Sequence, residues 1–206
     1  MDLKQLKFDN FDLKKVKIQN DLVETEFHEK RSIDGVSHTL VHSLKAKYIP
    51  HPDLLNARDK LKDVLIKSFH YHEVNDVASK YLKGEQKQKV EDAFLDICNK
   101  IEVTGVSISG DEQLKGAVVT GKIESNNGSK CALNSPRIVF ASDKIGYEKD
   151  VENAVELLTR ETYKYLFEGK RAQGELFDNQ DQDFEGTTSE MKNSPVEQDE
   201  EFNALQ

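Results

Sequence analysis

The chain has 206 residues, of which 36% are hydrophobic and 33% charged, with two cysteines and a formal net charge of −9. No run of about 18 apolar residues occurs, which excludes a membrane-spanning helix, and two cysteines exclude a disulfide framework. Ten acids and one base fall in residues 172–206. We therefore expect a charge-balanced folded body over 1–171 and an acidic tail over 172–206, in a cytoplasmic protein.

The first part of the body predicts strands followed by a helix. Apolar and polar residues alternate with period two over 16–27, and a strand or strand pair continues over 36–49 after a turn at Asp34-Gly35. The sequence His51-Pro52-Asp53 is typical of a helix start. Apolar residues then recur at helical spacing from Leu54 to Phe69, which predicts one amphipathic helix.

The second part of the body repeats this order after a helical middle. Residues 73–100 predict two helices separated by Lys83-Gly84-Glu85. Strands follow over 101–109 and 116–123, then over 131–133 and 137–140 with a break at Pro136, and a hairpin is predicted at Asn126-Asn127-Gly128. A long amphipathic helix then runs from Val151 to Phe167 and ends near Gly169.

The element order predicts the fold class. It is α+β, with two similar β-β-β-α units (16–70 and 100–169) around a helical connector, followed by a disordered acidic C-terminal tail. The alternative is a single α+β domain whose two halves are alike by chance.

Five residues at the start of the tail, Gln173-Gly174-Glu175-Leu176-Phe177, form a short motif. Two adjacent large apolar residues in a solvated segment are natural anchors for a partner groove. The motif resembles the peptides by which bacterial proteins dock on the DNA polymerase sliding clamp, and the resemblance implies contacts through Gln173, Leu176 and Phe177. The sequence departs from that pattern at Gly174. A second interpretation is that Leu176 and Phe177 fold back onto the body.

The last residues of the chain carry a second, looser motif, Glu200-Glu201-Phe202. It resembles the acidic tails of single-stranded DNA-binding proteins, which end on an apolar residue and recruit basic partners. The resemblance implies that Phe202 binds a partner. The alternative is a solubilising tail without a partner.

Three stretches of the body are similar to uncharacterised small bacteriophage proteins. They are His51–Leu55, Val103–Ser109 and Tyr165–Lys170. This resemblance implies a phage setting, and therefore the cytoplasm of a bacterial host, and it implies no activity. The β-β-β-α order is also similar to the core of single-strand annealing proteins, which is a fold-level analogy only.

Lysines beside aromatic residues are the candidate nucleic-acid contacts, because such segments combine phosphate neutralisation with base stacking. The alternative is a solvated surface of paired charges. The candidates are Lys45, Lys47, Tyr48, Lys80, Lys83, Lys87 and Lys89.

The sequence shows no combination of acid, base and nucleophile, no phosphate-binding loop and no metal-ligand spacing, so we predict no catalytic residues, no cofactor and no metal. We predict a non-enzymatic accessory protein of phage DNA replication or recombination. Its body binds single-stranded DNA or a replication protein, and its tail docks on a sliding clamp. The alternative is a binding module that inhibits or sequesters a host factor, with the acidic tail imitating DNA. A small metal-dependent nuclease is a third class.

Overall fold

The computed structural model describes residues 6–33, 36–111 and 113–172. The strands are β1 (Phe11–Gln19), β2 (Leu22–Ile33), β3 (Val36–Ala46), β4 (Ile101–Ser109), β5 (Gly116–Glu124), β6 (Lys130–Asn134) and β7 (Ile138–Val139). The helices are α1 (Pro52–Asp59), α2 (Lys62–Ser68), α3 (Tyr71–Tyr81), α4 (Glu85–Lys100) and α5 (Glu148–Phe167). The chain is therefore α+β, as predicted from the sequence. The predicted turn at Asp34-Gly35 and the tail from residue 173 lie outside the described residues.

The strands of the described residues form one antiparallel sheet. Its order is β3-β2-β1-β4-β5-β6, and β7 pairs with β5 beside this path. The two central strands, β1 and β4, come from opposite halves of the chain and pair over Lys15–Lys17 and Gly105–Ser107. The two halves of the chain therefore contribute to a single sheet.

The central strands have matching irregularities. Both are nine residues long. Each has a β-bulge after its third residue, at Leu13/Lys15 in β1 and at Val103/Gly105 in β4. Their pairing is also reciprocal, because the sixth residue of β1, Val16, lies opposite the sixth residue of β4, Val106. The β1–β4 pair is thus related by a local twofold axis that passes between Val16 and Val106.

One face of the sheet carries the hydrophobic core. Val16 and Val106 point to this face with Phe27 and Val119, and all four are buried. Helix α5 covers it and packs on α1, with Leu158 and Tyr165 fully buried. The amphipathic spacing that predicted α5 therefore corresponds to real burial.

The helix predicted over 54–69 is two helices. It begins as expected, because the His51 ring nitrogen accepts a hydrogen bond from the Asp53 N–H at 3.1 Å. It is interrupted between Asp59 and Lys62, where the N–H of Leu61 bonds back to the Arg58 carbonyl. Leu61 is fully buried. No glycine or proline lies at the interruption, and the packed side chain of Leu61 is the feature found there.

Within the described ranges, no helix combines the length and apolarity needed to cross a lipid bilayer.

Candidate nucleic-acid interface

The second face of the sheet carries polar side chains and is open. The strand pairings align one residue from each strand into a row across it: Lys45, Glu24, Lys17, Gly105, Thr120 and Asn134. The side chains of this row are half-buried or exposed. The next row contains Ser43, Glu26 and Lys15. Period-two alternation explains the arrangement, because it directs the apolar residues to the helices and the polar residues away from them.

Lysines outnumber carboxylates on the β1–β3 part of this face. Within the described residues, Lys15, Lys17 and Lys30 take part in no ion pair, whereas Lys45 lies 3.1 Å from Glu24. The pKa of the Glu24 carboxyl is lowered by its hydrogen bond to Lys45, with smaller contributions from the charges of Lys17 and Lys15. The face therefore presents a cluster of lysines in which Lys45 neutralises Glu24, while Glu26 remains an exposed carboxylate opposite Lys15.

His28 supplies a flat ring on the same face. It pairs with Asp12 on β1 and with Val41 on β3. Partial burial lowers the pKa of His28, and the neighbouring charge of Lys14 lowers it further. The ring is consequently neutral near pH 7, a form suited to stacking against a base rather than to pairing with a phosphate.

The residues predicted from the sequence near β3 have different surroundings. Lys45 lies on the open face and Lys47 is exposed just beyond β3. Tyr48 is half-buried, and the Arg171 guanidinium lies 3.8 Å from the centre of its ring. The backbone carbonyl oxygen of Tyr48 accepts a 2.8 Å hydrogen bond from the Tyr165 hydroxyl. One side of the Tyr48 ring is therefore already occupied.

The other four predicted lysines lie on the hairpin formed by α3 and α4. Lys87 is 3.5 Å from Glu91, while Lys80, Lys83 and Lys89 form no ion pair with any described residue. The hairpin packs mainly on α2, β4 and β5. The strand β3, which carries Lys45, packs on β2 at the other edge of the sheet. The seven predicted contacts thus fall into two groups on separate elements.

The predicted tail contacts Gln173, Leu176, Phe177 and Phe202 lie outside the described residues, but the segment leading to them is described. The N–H of Ala172 donates to the Ile49 carbonyl at 3.2 Å, and Arg171 forms a bridge with Pro50. Lys170 lies 2.6 Å from both Asp53 and Glu161. These contacts hold the start of the tail beside the segment between β3 and α1.

Sequence reasoning missed Lys15, Lys17 and Lys30 as candidate contacts. The first two lie in β1, which begins at Phe11 although residues 1–15 carry no firm signal in the sequence. Phe11, Leu13, Val16 and Ile18 point to the core, and Lys15 and Lys17 take the alternate positions that point away from it. This alternation is the signal that could have identified them. The bulge shifts the alternation by one residue, which hides it from a simple inspection.

A buried charged cluster lies on the core side of β2 and β3. Glu29 accepts hydrogen bonds from Arg31 at 2.9 Å and contacts the His42 ring nitrogen at 2.9 Å. His42 stacks on Phe27 with ring centres 4.9 Å apart. Among the described residues, no group of three or more histidine, cysteine or carboxylate side chains is placed to hold a metal. Mutual pairing satisfies these charges, which indicates a structural role.

A cleft of about 300 Å³ lies between α5 and the ends of β1 and β4. Phe8, Phe11 and Phe140 line it on one side, with Glu152 and Glu156 on the other. Both carboxylates already pair with basic neighbours on α5, Lys149 and Arg160. The cleft therefore presents few unpaired polar groups to a ligand.

No family model matches this chain, and neither a curated protein nor a solved structure matches it.

Proposed function

We propose that the body binds single-stranded nucleic acid across the open face of its sheet, as an accessory protein of phage DNA replication or recombination. The observation that carries the proposal is the group of three lysines, Lys15, Lys17 and Lys30, on a face that no described helix covers. None of the three forms an ion pair within the described residues, although Lys15 and Lys17 lie across from Glu26 and Glu24 in the sheet. Lysines of this kind neutralise phosphates and release counterions, which is the main source of affinity for a nucleic-acid backbone.

The shape of the face favours an extended strand over a duplex. The row from Lys45 to Asn134 crosses six strands, and neighbouring strands lie about 4.8 Å apart, so the row spans about 24 Å. A surface of this kind accommodates several nucleotides laid across the strands, with backbone contacts to lysines and a ring such as His28 for stacking.

The experiment compares two triple variants of the full chain that each remove three positive charges. The first replaces Lys15, Lys17 and Lys30 with Gln, and the second replaces Lys83, Lys87 and Lys89 with Gln. Fluorescence anisotropy with a labelled oligothymidine of about 20 nucleotides measures affinity between about 50 and 200 mM salt. The open-face variant is expected to lose at least about tenfold in affinity, and its salt slope is expected to fall by about 2, since each phosphate contact in a single strand contributes about 0.7.

The two variants separate the open face from the helical hairpin. If the hairpin variant loses binding and the open-face variant does not, the interface is the group predicted on α3 and α4, and the open-face proposal is wrong. If neither the parent nor the variants bind at low salt, the body is not a nucleic-acid binder. The alternative of a module that sequesters a host protein then becomes the better hypothesis.

The tail has a proposed role of its own, which is docking on a sliding clamp through Gln173, Leu176 and Phe177. The contacts of the half-buried Arg171 and Ala172 support it, because they hold the chain beside the exposed Ile49 immediately before the motif. The Leu176→Ala, Phe177→Ala double variant is expected to lose capture on an immobilised clamp. Unchanged thermal unfolding of that variant is the necessary control, since unfolding would mean that the pair packs in the core.

A duplication of one β-β-β-α unit is the origin we infer for the body. The matching bulges and the reciprocal β1–β4 pairing support it. An ancestral single unit would form the same sheet as a homodimer through a twofold axis. The test is the isolated first unit, residues 1–70, which is expected to dimerise if its β1 still pairs with a copy of itself.

A further inference from the structure

The helix α3 leaves a narrow apolar stripe in solvent. Val74, Val77 and Tyr81 are 64%, 56% and 78% exposed, whereas Ala78 on the inward side is 5% exposed. Their spacing of three and four residues places them within about 60° of the helix circumference, since each residue turns the helix by about 100°. An amphipathic helix whose apolar stripe is left uncovered by every described element is a candidate docking surface.

The charged residues beside the stripe are arranged along the helix axis with the acids first and the base last. Glu73 and Asp76 lie on one flank toward the beginning of α3, and Lys80 lies on the same flank toward its end. An antiparallel helix brings the same flank of its partner against this one, so Lys80 of each copy meets Glu73 of the other. A parallel helix would bring the opposite flank instead, which turns toward the body at the buried Ala78 and offers no charge to pair.

The apolar residues fit the same arrangement. In an antiparallel pair centred at Val77, Val74 of one copy packs against Tyr81 of the other, and the two Val77 side chains meet at the axis. Every contact then occurs twice, as in a self-complementary twofold interface. We infer that α3 is a homodimerisation surface that binds α3 of a second copy of this chain in antiparallel orientation.

The flanking charges argue against other occupants of the stripe. Glu73 and Asp76 repel a nucleic-acid backbone, and they repel the acidic segment 172–206 of this chain as well. One oxygen of Glu73 is 2.8 Å from Nδ1 of His70, the residue before α3, and this contact leaves its other oxygen for Lys80 of the second copy. A second copy supplies both an apolar stripe and a matching base.

The small size of this surface limits the expected affinity of the dimer. The 11 residues of α3 span about 16 Å, so the contact falls well below the roughly 800 Å² per partner of a stable complex. We expect a weak, concentration-dependent dimer with a dissociation constant in the micromolar range or above.

Analytical ultracentrifugation of the full chain, from about 5 to 500 µM at about 0.15 M salt, measures this equilibrium. Val77→Glu is expected to weaken dimerisation at least tenfold. The matched control is Leu95→Glu on α4, because Leu95 is also 56% exposed but lies outside the stripe. A monomer at every concentration overturns the inference, and so does a loss of dimer in the Leu95 variant with none in the Val77 variant.

A charge-swap experiment tests the orientation. Lys80→Glu and Glu73→Lys are each expected to weaken self-association, whereas an equimolar mixture of the two variants is expected to dimerise as the parent does, because each contact again joins opposite charges. If the mixture stays as weak as the single variants, the helices do not meet in the antiparallel arrangement. This experiment does not depend on the nucleic-acid function proposed above.

Discussion

Gly105 lies where the two halves of the sheet join, and its replacement by alanine is the most informative single change. A methyl group at this position would overlap the carbonyl oxygen of Val16 and would lie 3.0 Å from the α-carbon of Lys17. Both groups belong to the backbone of β1. Because no flexible side chain is available to move away, the two strands themselves must separate.

The cost follows from what the separation removes. Overpacking a rigid site costs about 1–3 kcal/mol, and each ladder hydrogen bond weakened between β1 and β4 adds about 1 kcal/mol. Replacing glycine returns about 0.5–1 kcal/mol by restricting the unfolded chain. The expected net loss in the free energy of unfolding is therefore about 3 kcal/mol, a large part of the roughly 5–15 kcal/mol typical of a domain.

Urea unfolding followed by far-ultraviolet circular dichroism measures this difference. The matched control is Gly128→Ala in the β5–β6 hairpin, where a methyl group meets nothing within 4 Å but the backbone angle φ is +80°. That variant is expected to lose about 1–2 kcal/mol, the cost of a left-handed residue with a side chain. If Gly105→Ala is no less stable than Gly128→Ala, close contact between β1 and β4 is not what requires glycine.

Three further predictions concern the core and the chain end. Tyr165→Phe is expected to lose about 1 kcal/mol in urea unfolding, because the hydrogen bond to the Tyr48 carbonyl is removed. Leu65→Ala is expected to cost about 2–5 kcal/mol in the same assay, since Leu65 is fully buried against β5. Burial by itself would raise the pKa of Glu161, but hydrogen bonds from lysines, including Lys170, lower it. The stability from Glu161 is thus complete above about pH 4.3 and is lost as pH falls through the lowered pKa.

Each of these predictions has a contrary outcome. An unchanged urea midpoint in Tyr165→Phe would mean that water replaces the lost hydroxyl. A loss below about 1 kcal/mol in Leu65→Ala would mean that the core closes around the missing atoms. For Glu161, a Lys170→Met variant with the same acid-unfolding profile as the parent would show that the ion pair does not contribute.

The sequence predicted those features whose signals are local. Helix α5, the start of α1 at His51 and the turn ending at Gly128 all follow from periodicity and capping chemistry. The division between α1 and α2 was missed, because the apolar spacing continues through the interruption at the buried Leu61. Local patterns carry no information about such tertiary packing.

The candidate interface was harder to predict than the fold. Lys45 was identified beside an aromatic residue, but the pairing of β1 with β4 is what continues the rows of Lys15 and Lys17 onto the second half of the sheet. That pairing joins residues about 90 positions apart in the chain. Tyr48 shows a second limit of the local sequence, which gives no indication that Arg171 occupies one side of its ring.

The placement of α5 has a consequence for how the protein is made. This last described helix covers an aromatic cluster that belongs to the first strands, since Phe167 packs on Phe11 and Phe27 with ring centres 5.8 and 5.7 Å apart. On the ribosome, the first three strands emerge long before the residue that shields them. Such late closure makes folding slow and leaves an interval in which the nascent chain can aggregate or recruit chaperones.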